Sequence, residues 1–168
     1  AAGCGPRAGP RTAEELRPRE VVALGPGPTE AAAATAGGLL WLTDQGQVLG
    51  EPLEEAPLAL AADGVGGVWA LLPDALWRCA PDGGCRRAHE LGDLDLEGAR
   101  ILGLAGDVLL VLPGRLLRPG PTPREVRPPW PEALPVAGPG GGLCWLDPGG
   151  RLLCSRPGRP PAWSRVPG

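Results

Sequence analysis

Five cysteines, six tryptophans and a single histidine are the side chains best suited to chemistry in this 168-residue chain. Cys144 and Cys154 stand symmetrically about Gly149, inside the turn-forming run Asp147-Pro148-Gly149-Gly150. An antiparallel hairpin turning there sets them opposite one another, with Cβ atoms about 4.5–5.5 Å apart, close to what a disulfide tolerates. Cys79 and Cys85 bracket Ala80-Pro81-Asp82-Gly83-Gly84, a second tight turn that brings a pair together. Two local pairs with Cys4 left over suit an oxidising compartment. The alternative is a reduced cytosolic protein in which small thiols fill strand positions. Short loops hold each bridge to the low end of about 2–4 kcal/mol. Cys79, Cys85 and His89 supply only three ligands without a C-x-x-C, so no metal centre is expected.

Trp41, Trp69, Trp77, Trp130, Trp145 and Trp163 are the only aromatic side chains besides the histidine. Sugar rings stack on exposed indole faces, which makes Trp130 and Trp163, in proline-flanked outer segments, the candidate carbohydrate contacts. The other four lie within apolar runs and are expected to supply core bulk that Phe and Tyr would otherwise give. His89, in Arg86-Arg87-Ala88-His89-Glu90, has no nucleophile in reach by pattern and reads as a loop residue. Asp93, Asp95 and Glu97 lack the spacing and glycine of a calcium loop. Gly64 to Gly67 and Gly138 to Gly142 have no strand–helix context for a dinucleotide and read as turns. No catalytic carboxylate pair can be singled out. The expectation is a non-enzyme without cofactor.

The elements that position these residues emerge from a repeat. One phrase occurs four times: GGLLWLTDQGQVLG from Gly37, GGVWALLPDALWRC from Gly66, GDVLLVLPGRLLRP from Gly106 and GGLCWLDPGGRLLC from Gly141. Each is an apolar run, a tight turn and a second apolar run, the signature of a hairpin. Leu39, Val68, Val108 and Leu143 begin the first strands and are equivalent by this alignment. Before each hairpin comes a short small-residue stretch read as an inner strand: Ala31 to Ala36, Leu58 to Ala62, Arg100 to Leu104 and Leu134 to Ala137. An inner strand, a hairpin and an outer strand make about 35 residues, one four-stranded propeller blade. The 28 Gly and 23 Pro, which without periodicity would signal low complexity, then fall in turns. Helix is confined to one turn over residues 12–20, cut by Pro18.

Composition narrows the function classes. The net charge is −3 with scattered arginines, so no nucleic-acid or anionic-membrane footprint is present. No apolar run reaches the length of a membrane span. Lys, Asn, Phe, Tyr and Met are absent, a pattern that follows GC-rich codons. Without Lys there is no Schiff-base or Walker-type chemistry, and without Asn no glycosylation sequon. The first residues have neither Met nor a signal-peptide layout, so a trimmed product or a fragment is expected.

The strand, turn and Trp pattern resembles the tectonin β-propeller repeat, also found in fish-egg lectins. It is carried by LALAADGVGGVWALLPDALWR (Leu58 to Arg78) and by WSRVPG (Trp163 to Gly168) and spans roughly residues 30–168. The resemblance implies an all-β, tectonin-like β-propeller, with four blades visible in a ring that is incomplete, closes with fewer blades, or takes blades from elsewhere. Residues 1–28 are expected as a lead-in with one strand near Val21 to Leu24, an outer strand of the repeats. The blades follow at 29–56, 57–99, 100–133 and 134–168, and residues 80–98 form an acidic insertion. For secreted members the resemblance implies carbohydrate binding, here at repeated blade-edge sites with a glycan or glycoprotein as partner. For intracellular members it implies a protein-interaction scaffold in the cytoplasm. The leading expectation is the secreted lectin.

Overall fold

The computed structural model describes residues 17–24, 28–49, 53, 55–82, 84–138, 141–156 and 159–165, with no account of the side chains at 47–49 and 155–165. Among the described residues sixteen strands form four antiparallel sheets, each of four strands in chain order. The first sheet holds β1 (Glu20–Ala23), β2 (Thr29–Thr35), β3 (Gly38–Thr43) and β4 (Gly46–Leu49). The second holds β5 (Ala59–Ala62), β6 (Val68–Leu71), β7 (Ala75–Ala80) and β8 (Gly84–Glu90). The third holds β9 (Arg100–Leu104), β10 (Asp107–Leu112), β11 (Arg115–Arg118) and β12 (Arg124–Glu125). The fourth holds β13 (Leu134–Ala137), β14 (Leu143–Leu146), β15 (Arg151–Arg156) and β16 (Arg159–Arg165). No helix is present among the described residues that could cross a membrane.

The sheets succeed one another through their first strands: β1 lies against β5, β5 against β9 and β9 against β13. This is the up-and-down blade order of a β-propeller. The Glu20 carboxylate of β1 accepts a hydrogen bond from the Leu60 N–H of β5 at 3.0 Å, tying the first two inner edges. In the second, third and fourth sheets the repeat phrase forms the second and third strands; in the first it forms β3 and β4, one strand farther out, because β1 takes the inner edge. Leu39, Val68, Val108 and Leu143 each pair with a small residue of the preceding strand: Ala34, Ala62, Gly103 and Ala137. A small partner on the inner side and a large apolar residue outside it let the sheets converge toward one edge. At Gly103 the approach is extreme, since a Cβ there would lie 1.8 Å from the carbonyl oxygen of Ala62.

Three apolar clusters fill the spaces between sheets. Trp41, Leu39 and Ala34 meet Leu60, Val68 and Ala70 between the first and second. Trp69, Leu71 and Leu76 meet Ile101, Val108 and Leu110 between the second and third. Leu104, Leu109 and Leu116 meet Ala133 and Trp145 between the third and fourth. The indoles of Trp41, Trp69 and Trp145 are thus inter-sheet bulk, as a chain without Phe or Tyr requires.

Three segments depart from the expected pattern. Residues 80–98 are not wholly an insertion, because Gly84–Glu90 is β8, the edge strand of the second sheet. Its sequence GCRRAHE lacks apolar alternation since it is mostly solvent-facing; the register Cys79↔Cys85 holds it in place. In the third sheet the outer strand is only Arg124–Glu125, and Trp130 lies in a bend beyond it. The strand near Val21, expected as an outer strand, is β1 at the inner edge of its sheet beside β5, and the stretch expected as that sheet's inner strand is instead its second strand, β2.

Candidate functional site

Both cysteine pairs read from the turns are disulfides. Cys79–Cys85 joins β7 to β8 and Cys144–Cys154 joins β14 to β15, each with Cα atoms 4.1 Å apart at directly opposed register positions. Two such bridges suit an oxidising environment. Cys4 lies outside the described residues. Trp130 is half-buried and packs on the cluster between the third and fourth sheets. Trp163 falls in β16 opposite Leu153, and its side chain lies outside the described ones. Trp130 does not line the cavity described next.

His89 stacks on Trp69, ring centroids 6.0 Å apart, and the Arg78 guanidinium lies 5.5 Å from the same indole. Asp95 accepts a hydrogen bond from the Glu97 N–H, forming a local turn. Among the described residues no three His, Cys, Asp or Glu side chains are placed to hold a metal ion.

Among the described residues an open cleft of roughly 1030 Å³ lies at one end of the first and second sheets. Its walls come from the β1–β2 connection, the ends of β3, β7 and β8, the β5–β6 loop and the β7–β8 turn. Trp41 is almost fully buried at this boundary. Asp63 organises the β5–β6 loop. Its Oδ1 accepts from the N–H groups of Val65 and Gly67, each at 2.9 Å, and its Oδ2 takes the Arg78 Nε at 3.1 Å. Asp63 is only 3% exposed, so these three donors offset the cost of burying its charge. Arg78 in turn stands opposite Arg86 across β7 and β8. Arg86 is exposed, and among the described residues no acidic partner lies within ion-pair distance of it. Asp82 is exposed at the turn between them, and Val65, 71% exposed, stands at the loop tip. The neighbouring Arg87 is already paired, with Asp74 and with Glu90.

The Asp63–Arg78 link has a counterpart in the third sheet. There Asp107, after the β9–β10 turn, pairs with Arg118 near the end of β11 at 3.0 Å. That second pair is exposed and worth at most about 1 kcal/mol. The first is anchored by a buried carboxylate, and its removal frees two loop N–H groups together with a guanidinium. Asp63→Ala is therefore expected to destabilise the chain by about 2 kcal/mol, seen as a lowered urea midpoint at unchanged slope. Asp107→Ala is the matched comparison and should move the midpoint little. Equal shifts for the two would show that the buried anchor carries no special weight.

In the fourth sheet Asp147 plays a local version of the same part. The Arg151 N–H donates to its Oδ1 at 2.8 Å and the Arg151 Nε to its Oδ2 at 2.6 Å. Chiefly through that backbone hydrogen bond, and against the effect of burial, the carboxyl is held below its ordinary pKa. A depressed folded pKa gives stability that is present above the unfolded value and lost as pH falls through the folded one. Melting temperature is thus expected to decline on acidification below about pH 4. Asp147→Asn should flatten that part of the profile, and an unchanged acid limb would refute the assignment.

The cleft was not legible in the sequence, because its charged groups come from the loops and edges of one sheet and its opposite wall from another. The one available signal was Asp63 just before Gly64-Val65-Gly66-Gly67, an acceptor beside a run of loop N–H groups.

No known family and no curated protein matches this chain. Among solved structures it is similar to a catalytically inactive virginiamycin B lyase from Staphylococcus aureus with quinupristin, at 15% identity and a TM-score of 0.48. That likeness covers 82% of this chain, which spans about half (52%) of the lyase.

Proposed function

We propose that this chain is a non-catalytic carbohydrate-recognition module of tectonin type, working in an oxidising, extracellular setting. The observation that carries the reading is the cleft between the first two sheets. Its lining combines guanidinium and carboxylate groups with an exposed apolar side chain, Val65, in an open cleft. Saccharides present hydroxyl pairs that both donate and accept, and C–H faces that need an apolar surface. The two disulfides support the compartment. A protein-interaction scaffold is the second reading, supported by Val21, Leu58 and Leu134, exposed on or beside the inner strands β1, β5 and β13. Retention on a glycan array, reversed by free sugar, is the expected result. Failure to bind any glycan of a broad array would overturn the carbohydrate reading and favour the scaffold.

A further inference from the structure

Resting on that reading, we propose that the cleft takes an uncharged oligosaccharide through hydroxyl pairs held by Arg86 and Asp82, and that it rejects acidic sugars. The argument begins with charge. The titratable side chains lining the cleft are Asp63, Asp82, Arg78 and Arg86, two of each sign. Asp63 and Arg78 neutralise each other at 3.1 Å. Arg86 and Asp82 remain, one at the edge strand and one in the turn that leads to it, with no ion pair to either among the described residues. An anion drawn to Arg86 would also meet Asp82, and the attraction would largely cancel.

The glycine-rich loop points the same way. Runs of backbone N–H groups in such loops commonly cradle phosphate or carboxylate. Here the chain's own Asp63 carboxylate already takes the N–H groups of Val65 and Gly67. The anion place in the loop is filled from within. What the cleft offers a ligand is one fork of donors, one pair of acceptor oxygens and the exposed Val65 surface. A vicinal diol has the chemistry to satisfy both polar groups, accepting from a guanidinium and donating to a carboxylate, and a sugar ring has a C–H face suited to Val65. At roughly 1030 Å³ the cleft lies at the upper end of the range of about 300–1,000 Å³ for small-molecule sites, room for a short oligosaccharide rather than one ring.

The test is titration calorimetry on the disulfide-intact chain. The probes are neutral trisaccharides of glucose, mannose and N-acetylglucosamine, with trigalacturonic acid and inorganic phosphate as charged comparators. At least one neutral trisaccharide is expected to bind, and neither charged probe to bind more tightly. Arg86→Ala and Asp82→Asn should each weaken it tenfold or more. Arg115→Ala, an exposed arginine at the β10–β11 turn, should leave affinity unchanged. Tighter binding of trigalacturonic acid or phosphate, lost in Arg86→Ala, would overturn the proposal and leave saccharide or anion recognition at the cleft. Neutral binding that survives both Arg86→Ala and Asp82→Asn would overturn the site and leave the carbohydrate reading standing. Absence of binding by every saccharide would overturn both.

Discussion

Gly103→Val is expected to prevent the chain from folding, and Gly103→Ala to cost at least about 3 kcal/mol, the upper part of the overpacking range. The reason is the place of Gly103 on β9, with its backbone pressed on β5. An added Cβ would lie 1.8 Å from the Ala62 carbonyl oxygen and 2.9 Å from the carbonyl carbon. Those are main-chain atoms of a strand paired with β6, so they cannot swing aside as a side-chain tip would. Relief requires the second and third sheets to part, which opens the cluster of Trp69, Leu71, Ile101 and Val108 between them. A single domain has about 5–15 kcal/mol of stability in all. Gly106 provides the contrast. It has φ +71° but open space around a Cβ, so Gly106→Ala should carry only the left-handed backbone penalty of about 1–2 kcal/mol. Thermal melts followed by circular dichroism separate the two. A Gly103→Ala protein melting no lower than Gly106→Ala would show that the sheets are not in backbone contact.

Reduction of both disulfides is expected to cost about 5 kcal/mol together. Closure-entropy reasoning assigns about 2 kcal/mol to the separation of six and about 3 to that of ten. The effects should be unequal in kind. Cys144–Cys154 spans β14 and β15, which are already paired along their length. Cys79–Cys85 pins β8, an edge strand with little apolar anchorage. Loss of the second bridge should therefore fray β8 and disorder Arg86 before the rest of the sheet melts. Hydrogen exchange on Cys79→Ser/Cys85→Ser checks this: faster exchange is expected over residues 84–90, with the inter-sheet core still protected. Uniform exchange across all sheets would instead show that the bridge stabilises the whole chain rather than one edge.

The repeat was readable because its apolar runs are short, regular and separated by turn residues. Val68, Val108 and Leu143 proved equivalent, each on the second strand of its sheet; Leu39 faces a like small residue but sits one strand farther out, because β1 precedes its pair. The cysteine pairs were readable from turn symmetry alone. β8 was not, since an edge strand facing solvent has no need of the alternation that marks a half-buried one. Trp130 follows Pro129 in what reads as an outer strand, but it lies in a bend and packs on the apolar cluster between the third and fourth sheets. The cleft was beyond reach for a different reason. Asp63, Arg78, Asp82 and Arg86 are dispersed over one sheet's loops and edges, and the wall opposite them belongs to another. Nothing in their spacing announces that meeting.

Each disulfide begins and ends within one sheet. The covalent reinforcement therefore stiffens individual blades and leaves the joints between blades to packing and hydrogen bonds. A protease that cut the loop after Leu91, or the stretch from Gly120 to Glu132, would leave pieces with no sulfur bond between them, so denaturant alone would release them without a reductant.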